Sequence, residues 1–154
     1  MKFWLVIATL VLLSCSNAMI SQDVRQKLSS VEIAQPNSIE ESECYYSLQK
    51  ALDPSVSTEY VLSFTLEYLE DNLAISKSSD VLRKSLTQVV KFQLEDKKTQ
   101  SILLKDVIRL HSSYSLNTEP LISYVQMDSN KKFLALRAAE VLRYRLISFF
   151  HKGH

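Results

Sequence analysis

Ser57–Leu73 reads STEYVLSFTLEYLEDNL, and the period assigned to its apolar residues decides the fold. Leu62, Leu66, Leu69 and Leu73 recur at intervals of four, three and four, with Val61, Phe64 and Tyr68 widening the same stripe. That spacing predicts an amphipathic helix with one buried face. The next segment places Leu82, Leu86, Val89 and Val90 in the same way, and the one after it uses Leu103, Leu104, Val107, Ile108 and His111. Breakers rich in capping and turn residues separate these runs: Asp53-Pro54-Ser55, Ser76 to Asp80, Glu95 to Thr99, Ser112 to Thr118, and Asp128-Ser129-Asn130.

Glycine usage points the same way. Average usage predicts about ten or eleven glycines in a chain of this length, yet the 154 residues contain one, Gly153. Tight two-residue hairpins draw on glycine for their positive-φ positions, and phosphate loops, dinucleotide turns and nucleophile elbows need it where backbone meets ligand. The expected fold is therefore all-α: about six helices in three antiparallel pairs, 41–52 with 57–73, 79–94 with 100–111, and 118–127 with 130–150. Within the last pair, Glu119-Pro120 enters a first helix, Asp128 stands at the turn and Arg137-Ala138-Ala139 precedes Leu142. These residues resemble a HEAT repeat, which implies stacked α-α pairs; an irregular helical bundle fits the same elements.

The N-terminus carries an address. Lys2 is followed by an uncharged apolar stretch from Phe3 to Leu13 and then by small or polar residues. Eleven residues is a secretory signal pattern, well short of the roughly 20 of a spanning helix. Leu12-Leu13-Ser14-Cys15 resembles the lipobox of bacterial lipoproteins. The resemblance implies diacylglycerol attachment to Cys15, cleavage before it, and, with Ser16 following, sorting to the outer membrane with the body facing the periplasm. Ser16-Asn17-Ala18 offers ordinary signal peptidase a competing cut, which would release a soluble periplasmic or secreted chain from Met19. The expected organisation is a signal peptide over 1–14 (to 18 with the competing cut), a flexible tether over 15–40 broken by Pro36-Asn37, one helical domain over 41–150, and a tail over 151–154.

Either cut leaves Cys44 as the one cysteine of the mature chain, so no internal disulfide is available. Its neighbours Glu41 and Glu43 disfavour a thiolate, and a buried, inert thiol is expected. His111 lacks an acidic neighbour at helical spacing, and His151 and His154 lie in the tail. Ser47-Leu48-Gln49-Lys50 matches Ser-x-x-Lys without its companion motifs. The carboxylates Glu40, Glu41 and Glu43, and Glu67, Glu70 and Asp71, read as solvated faces, and Tyr45, Tyr46, Tyr60, Phe64 and Tyr68 as core, with the lining of a groove as the alternative. No catalytic, cofactor-binding or metal-ligating set is expected, and the chain reads as a non-enzyme.

Charge is uneven. Ser21–Asp80 has eleven acidic against four basic side chains, whereas Lys131–His154 has six basic against one acidic. Lys131, Lys132, Arg137, Arg143, Arg145 and Lys152 are thus a candidate patch for an anionic partner. Nucleic acid is a poor partner for an exported chain of net charge +1, and no small-molecule substrate is evident. The function expected from sequence is an exported helical protein-binding or scaffold module, lipid-anchored through Cys15; the alternative is a soluble inhibitor or immunity-type factor acting on one protein target.

Overall fold

The computed structural model describes residues 20–75, 81–116 and 119–153. Over Ser57–Leu73 the decisive period is two, not 3.6. Leu62 and Phe64 are buried, while Leu69 and Leu73 are 55% and 57% exposed, so half of the supposed helical stripe faces solvent. The segment is a strand, and the all-α expectation is overturned. The chain is α+β, in the order α1 (Gln22–Ser29), β1 (Val31–Ile33), α2 (Ile39–Leu52), β2 (Tyr60–Ile75), β3 (Val81–Asp96), β4 (Ile102–Ser115) and α3 (Pro120–His151).

The sheet runs β1-β2-β3-β4, with β1 parallel to β2 and the other pairs antiparallel. Register sets even-numbered residues in rows across one face: Leu62, Leu94 and Leu104; Phe64, Phe92 and Asp106; Leu66, Val90 and Ile108; Tyr68, Gln88 and Leu110; then Glu70, Leu86 and Ser112. The first rows are mostly apolar and meet Cys44, Leu48 and Leu52 of α2 and Leu142, Leu146 and Phe150 of α3 in the main core. A two-layer packing of helices on one sheet face results. Gln88, Asp106 and Ser112 interrupt the alternation in the very segments read as helices, which hid the period of two.

Hairpins form without glycine because the β3–β4 loop is longer than two residues. The Asp96 carboxylate accepts hydrogen bonds from the Lys98 and Thr99 amides at 2.8 and 2.9 Å, and the Gln100 amide donates to the Asp96 carbonyl at 2.8 Å. One position needs a left-handed backbone, and Gln100 takes it at φ 54°.

Asp128-Ser129-Asn130 forms no turn: α3 runs through it, 32 residues without a break. Asp128 and Asn130 find helix-compatible bonds and Ser129 faces solvent, so none competes for the backbone. Asp128 pairs with Lys132 one turn on at 3.1 Å, and Asn130 Nδ2 donates to the Gln126 carbonyl at 2.8 Å while its Oδ1 accepts from Ser112 of β4. The HEAT-like pair is therefore one continuous helix, although Pro120 does sit in its first turn. Ala138 and Ala139, fully buried, let this helix lie close to its neighbours.

The stretch expected as a tether is also largely folded. Val24, Leu28, Val31 and Ile33 are 0–6% exposed and belong to the core. Ser21 caps α1 through its side chain and Ser38 caps α2. The expected signal peptide, Cys15 and the competing cut lie outside the described residues.

Candidate functional site

Contacts along α3 show that it runs beside the strands in the opposite sense to β2. Tyr60 meets Phe150 at 5.3 Å between ring centroids, and eight residues later Tyr68 reaches the Lys131 carbonyl. Eight strand residues span about 26 Å, and the nineteen helix residues between Phe150 and Lys131 span about 28 Å. One end of the molecule thus gathers α1, β1, the β3–β4 loop and the C-terminus. The far end gathers the starts of β3 and α3.

Toward the far end the layer between sheet and helix turns polar. Gln88, fully buried, donates from Nε2 to Tyr68 Oη at 2.7 Å, and Tyr68 Oη donates to the Lys131 carbonyl at 3.3 Å. Gln88 Oε1 is buried without a partner. Burial is the main reason the Tyr68 phenol is pushed up to about 12, with the Gln88 hydrogen bond opposing it. The Lys131 ammonium lies 5.4 Å from the Tyr68 ring centroid, a cation–π contact.

Beside Tyr68 opens a cleft of about 160 Å³, lined by Tyr68, Tyr124, Met127 and Ala135 and rimmed by Glu40, Glu43, Asp128, Lys131 and Lys132. Small-molecule sites usually measure about 300–1,000 Å³. This one is sized for a protruding side chain. The first half of α3 also turns apolar residues outward: Leu121 is 72% exposed, Tyr124 63% and Phe133 59%. A second accessible element is β4, an edge strand paired on one side only. An edge strand offers free backbone groups along its length.

The six expected cations all lie on α3 or at its C-cap, Lys152, but not on one side of it. At 100° per residue Lys132 and Arg143 share one side, while Arg137, Lys152, Arg145 and Lys131 spread over about 120° of the other. Lys132 pairs with Asp128, Arg137 with Glu140 at 2.9 Å and Arg145 with Asp106 at 3.7 Å. Such exposed pairs stabilise weakly. Arg143 has no ion-pair partner among the described residues, and its Nε is buried without a hydrogen bond.

Cys44 is fully buried, and its thiol is pushed up to about 12, first by burial and then by the Glu41 charge. Glu41 departs from its expected solvated state. It is 5% exposed, accepting from the Asn37 amide at 2.7 Å and, more weakly, from the Leu66 amide at 3.4 Å. The carboxylate thereby ties the start of α2 to the edge of β2 beyond the three residues that β1 pairs. The Ser38-x-x-Glu41 spacing carried that signal, since it is a capping-box pattern. His111 is exposed on β4, its Nδ1 3.0 Å from Thr87 Oγ1. Among the described residues no three His, Cys, Asp or Glu side chains converge as metal ligands do.

No protein-family model matches the chain. Several solved structures share its fold. A candidate lipoprotein of Caulobacter crescentus CB15 superposes with a TM-score of 0.67 at 18% identity, over 85% of this chain and 97% of that one. The rare lipoprotein B of Shewanella oneidensis gives 0.63 at 14% identity, over 80% and 97%. An uncharacterised lipoprotein B of Nitrosomonas europaea gives 0.59 at 15%, over 80% and 84%. At these identities the likeness shows the fold. A sequence relative goes further: the uncharacterised protein RP188 of Rickettsia prowazekii (strain Madrid E) is 30% identical over 123 residues, 80% of this chain and 78% of that protein. With that identity over that share of both sequences, the chain belongs to one family with the Rickettsia protein RP188.

Proposed function

We propose that this chain is an envelope lipoprotein, acylated on Cys15 and held at the outer membrane with its body toward the periplasm, where it serves as a non-enzymatic protein-binding or scaffold module. The observation that carries the reading is the coincidence of two independent features. The residues before Cys15 have the lipobox pattern, and solved proteins that share the fold are described as lipoproteins. Multiple acyl chains at about 0.8 kcal/mol per buried CH₂ hold a protein on a bilayer without a spanning helix.

Binding of protein rather than chemistry on a small molecule is supported by the surface. The cleft beside Tyr68 admits a side chain, Tyr124 and Met127 of α3 line it, other apolar residues of that helix are exposed, and the β4 edge can accept another strand.

Expression of the full-length chain in a Gram-negative host, with intact-mass and N-terminal analysis beside Cys15→Ser, tests the anchor. A membrane-bound product starting at acylated Cys15, lost in the variant, is expected. A lipid-free product starting at Met19 overturns the anchor and leaves a soluble factor acting on a protein target.

A further inference from the structure

At the end of the molecule where the described residues begin, Ile20 lines an open cleft of about 580 Å³ between α1, the end of α2 and α3. Its polar lining includes Arg25, Gln26, Ser29, Asp53 and Arg143. Two features set it apart from the other clefts. It holds two guanidinium groups, and neither is in an ion pair among the described residues. Arg143 also keeps its Nε buried with no acceptor. The one carboxylate in the lining, Asp53, stands beyond ion-pair distance of both. A buried guanidinium donor without an acceptor is costly, and a planar fork of this kind matches phosphate oxygens.

Position says which phosphate. Five Cα–Cα steps separate Cys15 from Ile20, so at no more than about 3.6 Å each the cleft lies within roughly 18 Å of the Cys15 Cα. This step rests on the reading of Cys15 as the anchor. A body held so closely meets the bilayer surface with this end, and Arg25 is exposed there.

We propose that Arg25 and Arg143 form a membrane-facing site for the headgroup phosphates of anionic phospholipid, which fixes how the body stands on the membrane. The acyl chains supply attachment; the two arginines supply orientation. Each cation at an anionic surface strengthens partitioning about fivefold, and the pair about 25-fold.

The test uses the chain from Met19, the product of the competing cut, which retains every element from α1 to α3 and all the buried core residues. Its co-sedimentation is measured with vesicles of phosphatidylcholine alone and with phosphatidylglycerol added to about a third. Binding only to the mixed vesicles is expected, weakened about 25-fold by Arg25→Gln with Arg143→Gln, unchanged by Arg137→Gln, and abolished in 0.5 M salt. Thermal unfolding of the double variant confirms that it is folded. Equal binding by the double variant, or equal weakening by Arg137→Gln, overturns the site. Displacement by inorganic phosphate beyond that by chloride of equal ionic strength overturns the membrane assignment in favour of a soluble phosphate ligand. Acylation is read separately from the mass of the full-length product, so failure of the anchor and failure of the cleft give different results.

Discussion

Gln88→Leu raises the stability of this protein, although it deletes a hydrogen bond made by a fully buried side chain. The bond from Nε2 to Tyr68 Oη contributes about 1 kcal/mol net, whereas the unpartnered Oε1 costs about 1–3 kcal/mol. Leucine removes both at similar volume and places a methyl-bearing side chain between Tyr68 and Leu110 in its row. Tyr68 keeps its bond to the Lys131 carbonyl. The balance is a gain of about 1 kcal/mol. With an unfolding entropy near 2.1 cal/mol/K per residue over a body of about 130 residues, Tm rises by about 3–4 °C.

Tyr68→Phe works in the opposite direction, because it leaves Nε2 without an acceptor and costs about 1–3 kcal/mol. In the double variant most of that loss disappears, giving a coupling of about 1–3 kcal/mol in a thermal or urea double-mutant cycle. A drop in Tm of more than 3 °C for Gln88→Leu would falsify the reasoning, for it would mean that Oε1 is bonded in solution and that the row is built to be polar.

Other outcomes follow from local chemistry. The Glu32 carboxyl is held below its ordinary value of 4.5, first by the hydrogen bond from Lys97, then by Thr58 and the Lys97 charge. A depressed carboxylate stabilises above its unfolded pKa and loses that contribution as pH falls through the folded value, so Lys97→Met flattens the decline of Tm below pH 4.5; an unchanged acid profile refutes the link. Gln100→Gly relieves the left-handed backbone at φ 54° and raises stability by about 0.5–1 kcal/mol in urea denaturation, the strain relief exceeding the added unfolded-state entropy; a loss refutes the loop geometry. Cys44, with its thiol pushed up to about 12, reacts with a disulfide reagent at pH 8 only as fast as the protein unfolds, and fast labelling under native conditions contradicts the burial.

Much of the sequence is legible one element at a time. The helix expected over 41–52 is present with two more residues at its start, and its stop at Asp53-Pro54 is marked by an αL aspartate. Pro120 marks the start of α3. Three long strands were not legible, for a physical reason. Segments of 14–16 residues rich in Leu and Val offer enough apolar positions to satisfy a helical period by chance, and the inward polar residues Gln88, Asp106 and Ser112 break the competing period. Their partners Tyr68, Arg145 and Asn130 lie on other elements, invisible to any local pattern. Lack of glycine was a true observation with too strong a consequence, since a five-residue loop that follows an aspartate needs only one unusual backbone position. The tether misled in the same way: α1 and β1 carry few apolar residues, but Val24, Leu28, Val31 and Ile33 are all used. For the candidate site, the sequence located the cations but not their partition around α3, which the helical period alone allows one to compute.

The shared length of α3 and the long strands constrains how the family can change size. Thirty-two helical residues at 1.5 Å and sixteen strand residues at about 3.3 Å cover nearly the same distance, about 50 Å. One helical turn therefore matches between one and two residues of each strand. A lone deletion of three or four residues in α3 rotates its face by about 40–60°, roughly half of one residue's step, and leaves a strand row uncovered. Insertions and deletions among relatives should come as coordinated sets, with three or four residues in α3 accompanied by two in each of β2, β3 and β4, since two keeps the inward side of a strand inward and one does not.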